Sequence, residues 1–226
     1  MPLEIEVLAD AGLVAERAAT FVAERADAAV ADRGRFAFAV SGGHTPWAMF
    51  AHLTDKVAWE HVTIYQVDER IAPDGDPDRN LTHLTASLPP GLGAEIRPMP
   101  VDGQDLERAA TAYARSLPER FDLVHLGLGP DGHTASLVAG DPVLDVDDRD
   151  VALTGVYQGR RRMTLTYPAL SKAHQVLWLI TGADKVDALR RLRAGDRSIP
   201  AGRVETPSQL VIADEAAAPG SEVGAR

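Results

Sequence analysis

Short apolar runs and longer stretches with helical spacing alternate along the chain. Residues 3–8, LEIEVL, alternate polar and apolar positions as a half-buried strand does. From Leu13 to Val30 the apolar positions Val14, Ala18, Phe21, Val22, Ala26 and Val30 recur at helical spacing and predict an amphipathic helix. RFAFAV (35–40) and VTIYQV (62–67) are apolar runs of strand length. A weaker strand is predicted over 95–99, and DLERAATAYARSL (105–117) predicts a helix. FDLVHLGLG (121–129) is a strand running into a loop. Beyond the Asp-rich link 141–150, strands are predicted at 151–156 and 162–166. QVLWLITG (175–182) is a further buried strand, ADKVDALRRLRAG a helix closed by Gly195, and QLVIAD (209–214) a last strand. The Ala/Gly-rich tail over 215–226 is expected to fray.

Strands that alternate with helices predict an α/β fold, a mainly parallel Rossmann-like sheet with helices on both faces in an α/β/α sandwich. Such sheets hold ligands in the crevice beyond the C-terminal ends of their strands. The loops to search for chemistry are therefore 41–46, 68–80, 127–136 and 182–185. No internal repeat or linker-like stretch interrupts the pattern, so one domain is expected over residues 1–226.

Composition narrows the chemistry. A chain of 226 residues, 45% hydrophobic, can bury a large core without covalent staples. With no cysteine, disulfides, thiolate catalysis and cysteine-bound zinc are excluded. MPLEIEVLAD lacks the features of a signal peptide, and no apolar run approaches the ~20 residues of a membrane span, so a cytoplasmic protein without a membrane partner is expected. The net charge of −10 disfavours nucleic acid, whose phosphates need stripes of Lys and Arg. The one dense basic cluster, Arg160 to Arg162, is either a solvated loop or a small anion site in an acidic protein.

In VSGGHTP, Ser41, Gly42 and Gly43 follow a buried strand. Thr45 is a candidate N-cap and Pro46 suits the first helical turn. This is either a tight strand-to-helix turn or a cradle whose free N–H groups take an anion. It is not a Walker loop, and a nucleophilic Ser41 is disfavoured because a nucleophile elbow comes after several strands. In VDERIAPDGDPDRN the bland reading is a solvated turn. The functional one has carboxylates such as Asp68 accepting from sugar hydroxyls, and Arg70 or Arg79 forking onto phosphate.

GLGPDGHTASL is the most informative stretch. Gly127, Gly129 and Gly132 spell the dinucleotide fingerprint G-x-G-x-x-G. Asp131 would repel a pyrophosphate, however, and Pro130 removes a backbone donor. The other reading makes His133 a general base, oriented by Asp131, with N–H groups around Gly127–Gly129 for an oxyanion. Thr134 and Ser136 are then expected to cap a following helix. In LITGADKVDAL, Lys185 stands in the first turn of a helix. There it opposes the helix dipole, so it is either a surface accident or a partner for bound phosphate.

Taken together, SGGHTP, VDER…DRN, LGLGPDGHTASL, RRMTLTYPAL and TGADKVDAL resemble, in order and approximate spacing, the 6-phosphogluconolactonase family. That family shares a phosphosugar superfamily with the glucosamine-6-phosphate deaminases. The resemblance spans roughly Val40 to Leu189. It implies hydrolysis of 6-phospho-D-glucono-1,5-lactone to 6-phospho-D-gluconate in the oxidative pentose phosphate pathway, with no metal and no organic cofactor. It implies His133 as the base for water and Asp131 as its assistant. Ser41, Gly42, Gly43, Thr45, Asp68, Arg70, Arg79, Asn80, Gly129, Arg162 and Lys185 then become candidate substrate contacts. The partner implied is a small phosphosugar lactone, and the expected assembly a monomer or weak homodimer.

Three departures stand out: Arg79 where the family usually has a small serine, Val138 in place of a phenylalanine, and no tryptophan before the late Asp214. The nearest rival is an amino-sugar-phosphate isomerase or deaminase. The deaminase loop continues from Asp-Gly-His to a glutamate, whereas here Thr134, Ala135, Ser136 and Leu137 follow. A third reading, a non-catalytic sugar-phosphate sensor, lacks a DNA-binding segment in this chain.

Overall fold

The computed structural model describes residues 3–221. Strand β1 (Glu4–Leu8) leads into α1 (Ala11–Arg33), followed by β2 (Phe36–Val40), α2 (His44–Leu53), β3 (Val62–Gln66), β4 (Asp68–Arg70) and α3 (Asn80–Ser87). Then come β5 (Glu95–Arg97), α4 (Leu106–Ser116), β6 (Leu123–Leu126), β7 (Val151–Leu153), β8 (Arg162–Leu165), α5 (Tyr167–Ser171), β9 (Val176–Ile180), α6 (Val186–Arg193) and β10 (Gln209–Asp214). Seven strands form a wholly parallel sheet in the order β1-β10-β9-β6-β2-β3-β5. Helices cover both faces, as the alternation of elements predicts.

The core lies on both sides of that sheet because its central strands are apolar on both faces. In β2, Phe36, Phe38 and Val40 join one cluster, with Phe21, Phe50 and Leu53 from α1 and α2. Ala37 and Ala39 face the other, with Tyr113 of α4, Trp178 of β9 and Leu189 of α6. The long α1 is bounded by two local devices. Asp10 caps it by accepting the Leu13 N–H at 2.9 Å, and Gly34 ends it at φ 72°, its N–H returning to Val30 O.

The strand order places the functional crevice. From β2 the sheet grows through β3 and β5 to one side, and through β6, β9 and β10 to the other. The loops that leave β2 and β6 therefore diverge, and a cleft opens between their C-terminal ends.

The main departure from the sequence pattern is a second, three-stranded antiparallel sheet, β4-β8-β7. Asp68–Arg70 and the turn after it read as polar loop, yet Asp68 pairs with Thr164 and Arg70 with Arg162. Glu69 explains the local structure. It is fully buried, and its two oxygens accept from the Arg70, Asn80 and Leu81 N–H groups at 2.8, 2.7 and 2.8 Å. The Gln66 amide donates to it as well, at 2.8 Å. One carboxylate thereby fixes β4 and caps α3, a helix whose sequence carries no capping residue of its own.

The tail expected to fray is packed at its start. Glu215 N–H bonds Leu8 O, Asp214 caps the following turn through Ala217 N–H, and Ala217 and Ala218 are buried. Residues 222–226, the rest of that tail, lie outside the described ones.

Replacing Glu69 with alanine removes acceptors from buried donors and leaves Arg79, 3% exposed, without its buried partner. The expected loss is about 3–5 kcal/mol of unfolding free energy, read by urea denaturation. A loss under about 1 kcal/mol would show that α3 and β4 do not depend on this carboxylate.

Candidate active site

A cavity of 560 Å³ occupies the cleft, walled by the loops after β2, β6 and β9 and by the small antiparallel sheet. The loop after β2 brings Ser41, Gly42, Gly43 and Thr45 to its wall. Gly42 is required there by space, since a Cβ would come within 1.9 Å of Asn80 Oδ1. Thr45 is not the N-cap. The helix starts earlier, with Gly43 at φ 137° in the cap position and no side-chain cap, so its first N–H groups stay available. Thr45 Oγ1 instead meets Thr181 Oγ1 at 3.0 Å and ties this loop to the one after β9.

Beneath the loop lies His125, whole inside the protein at the end of β6. Its Nδ1 accepts the Ser41 N–H at 3.3 Å, which requires a neutral ring. Burial pushes the imidazole pKa down to about 3.

The small sheet and α3 supply the polar wall. Asp68 accepts from Ser136 Oγ at 2.5 Å, and Asn80 Nδ2 donates to Asp68 O at 2.9 Å. The Arg70 guanidinium donates to Asn80 Oδ1. Arg162, 4% exposed, lies over the Tyr157 ring at 5.1 Å and donates to Gln158 Oε1 at 3.1 Å. Burial lowers its guanidinium pKa from the ordinary value, with the Asp68 charge opposing. Arg79 is not part of this wall. It turns inward to Glu69 at 3.6 Å and out to Asp74 at 3.4 Å, and does not line the cavity.

The glycine loop folds back on itself. Gly129 N–H bonds His133 O at 2.8 Å, and Gly132 N–H bonds Gly129 O at 2.9 Å. The Gly129 N–H is thus engaged within the loop, while Gly127, Leu128 and Gly129 all line the cavity. No helix opens after His133, so the dinucleotide geometry is missing. Thr134 donates to Gly127 O and Ser136 to Asp68, rather than capping a helix.

What the loop achieves is placement of one ring. His133 Nδ1 lies 2.5 Å from Asp131 Oδ1, which leaves Nε2 as the free nitrogen on a residue lining the cavity. A Cβ on Gly129 would stand 2.0 Å from His133 Nδ1, so the close approach needs glycine. Tyr157 meets the ring edge-on at 5.4 Å, its hydroxyl 3.5 Å from both His133 Nδ1 and Asp131 Oδ2. Burial raises the Asp131 pKa, but the His133 hydrogen bonds outweigh it and hold the carboxyl below its usual range. Asp131 does not itself line the cavity, and it accepts from both the backbone N–H and the ring of His133.

Lys185 also lines the cavity, from a short 3₁₀ turn, Ala183–Lys185, and pairs with Asp184 at 2.9 Å. Asp214 aims that loop by accepting the Gly182 N–H at 3.0 Å. Three cations, Arg70, Arg162 and Lys185, therefore face one cavity in an acidic protein. The residue pattern does not single out His125, Tyr157, Gln158 or Thr181. His125 did leave a signal, a histidine inside the apolar strand LVHL. Among the described residues no cluster of three His, Cys, Asp or Glu is placed to hold a metal, and no helix is long and apolar enough to cross a membrane.

Fold and cavity together define an α/β protein with a cleft lined by three cations at the switch point of a parallel sheet. Residues 9–213 match the family described as glucosamine-6-phosphate isomerases/6-phosphogluconolactonase, and the chain belongs to it. It is 33% identical to a 6-phosphogluconolactonase of Synechocystis, aligned over 93% of this chain and 95% of that protein. The solved structure of a 6-phosphogluconolactonase from Thermotoga maritima superposes with a TM-score of 0.83 at 25% identity, covering 94% of this chain and 99% of that one. A monomeric glucosamine-6-phosphate deaminase shares the fold at a TM-score of 0.82 and 16% identity, over 96% of this chain and 99% of that one.

His125 makes a prediction of its own. The folded chain keeps it neutral down to about pH 3, while the unfolded chain protonates it below about 6.5. The unfolded state therefore binds more protons in that window, and stability falls with falling pH by up to about 1.4 kcal/mol per unit. His125→Asn keeps an acceptor for Ser41 and does not titrate. Urea denaturation at pH 7 and pH 4 is expected to show a smaller loss in the variant, and equal losses would count against a neutral buried ring.

Proposed function

We propose that the protein hydrolyses 6-phospho-D-glucono-1,5-lactone to 6-phospho-D-gluconate, the second step of the oxidative pentose phosphate pathway. Membership of the family and identity of 33% to a 6-phosphogluconolactonase over nearly the whole of both chains support the activity. The observation that carries the chemistry is the His133–Asp131 pair, with its free nitrogen at a cavity that also holds three cations.

In this reading, His133 Nε2 takes a proton from water as the water oxygen bonds to the lactone C1. The carbonyl π-electrons move to oxygen and give a tetrahedral oxyanion. As the carbonyl re-forms, the bond from C1 to the ring oxygen breaks. The imidazolium returns its proton to that departing oxygen, so the base ends the cycle neutral. Asp131 stabilises the imidazolium between the two transfers, as an oriented carboxylate does in a triad. The phosphate dianion draws on Arg70, Arg162, Lys185 and the uncapped start of α2. Each charge-assisted hydrogen bond contributes about 1.5–3 kcal/mol, enough together to hold a small substrate. A deaminase reading needs a further acid next to His133, and the loop supplies Thr134, Ala135 and Ser136 instead.

The deciding assay is lactone hydrolysis by the purified protein, corrected for the spontaneous rate. His133→Ala is expected to lower kcat/KM by about 10²–10⁴-fold, and equal rates for both proteins would remove the lactonase reading. Lys185→Ala is expected to act on KM with kcat nearly unchanged, because it removes binding common to ground and transition states. An unaltered KM would take Lys185 out of the phosphate site.

A further inference from the structure

The hairpin between β7 and β8 turns at Gln158 and Gly159, where φ is +51° and +80°. Tyr157 and Arg160 pair across it, with N–H to O distances of 2.9 and 3.3 Å. Both central residues of the turn are left-handed, a conformation that glycine and asparagine adopt readily and glutamine does not. A residue kept in an unfavourable conformation at the edge of a site points to a use for its side chain.

That side chain lines the cavity. Its Oε1 accepts from Arg162 Nη2 at 3.1 Å, which fixes how the amide faces. The amide oxygen is thus engaged, while its N–H₂ group bonds no protein acceptor among the described residues. The hairpin is pinned at the stem. Arg160 donates to Asp78 at 2.9 Å and to Asp76 at 3.1 Å, and Tyr157 abuts the His133 ring. Tyr157, the residue before Gln158, meets the His133 ring at 5.4 Å and the Arg162 guanidinium at 5.1 Å, so the hairpin brings the free donor to the part of the cavity that these residues share. That donor is neutral, so it suits a hydroxyl and leaves the phosphate to the cations.

We propose that Gln158 is a specificity-determining residue whose amide N–H₂, aimed by Arg162, donates to the sugar hydroxyl next to the lactone carbonyl. This rests on the lactonase reading above. Gln158→Gly tests it, since glycine is at ease at this φ, a gain that offsets the lost Arg162 contact. The melting temperature is expected to stay level or rise. KM for the phosphorylated lactone is expected to rise roughly fivefold with kcat little changed, the worth of one lost hydrogen bond. For the 2-deoxy lactone, which lacks the hydroxyl, KM is expected to be the same in wild type and variant. Calorimetry with 6-phosphogluconate reads the contact without turnover, and binding to the variant is expected to be weaker by the same factor. Unchanged KM and product affinity in an active variant would overturn the role of Gln158 alone, as would an equal rise for both lactones. A wild type that binds product without turnover would overturn the lactonase reading and leave Gln158 to be judged by product affinity. A wild type that neither turns over the lactone nor binds the product would overturn both.

Discussion

The divergence of the chain between β2 and β6 is the constraint on which the rest depends. These neighbours are parallel and central, and the strands that follow them build the sheet outward in opposite directions. No connection closes over their C-terminal ends, so the exposed loops there must satisfy their own polar groups or offer them to a ligand. Both solutions occur. The loop after β6 satisfies itself through Gly129, Gly132 and Thr134 and becomes rigid enough to aim a ring. The loop after β2 leaves the start of α2 uncapped.

A second sheet completes the site, and Glu69 makes it possible. Asp68, Glu69 and Arg70 alternate across β4, so burying the middle residue turns its neighbours to the cavity. The polar wall is thus a by-product of the carboxylate that caps α3. This also explains why Arg79 is diverted. A buried Glu69 keeps a cation close, and Arg79 is the residue just before the helix it caps.

Sequence periodicity made the parallel sheet legible because its strands are apolar on both faces and separated by helices of ordinary length. It failed at β4 and α3, where the stabilising force is one long-range carboxylate rather than a repeated pattern. The residues brought to the cavity were legible where loop chemistry is local, as at His133 and Ser41–Gly43. Tyr157 and Gln158 were not, because their approach depends on the pairing of β7 with β8, and nothing local in GVYQGRR tells which loop the hairpin will lean against. The glycines misled in a useful way. Gly129 suits a nucleotide loop by spacing, yet here its missing Cβ makes room for His133.

The distribution of unpaired groups gives the site a physical signature of its own. Among the described residues four buried side-chain atoms lack a hydrogen-bond partner: Ser41 Oγ, Arg79 Nε, His125 Nε2 and Arg162 Nε. All but Arg79 belong to residues that line the cleft between β2 and β6. Each such group costs about 1–3 kcal/mol when left unmatched, so chance placement would be selected against throughout a stable fold. Concentrated in the wall of one cleft, they mark it as assembled at some cost to the free protein. The acidic exterior strengthens the contrast. A net charge of −10 repels anions at long range, so the pull on a phosphorylated substrate must come from the cations within the cleft, where screening by salt is weakest.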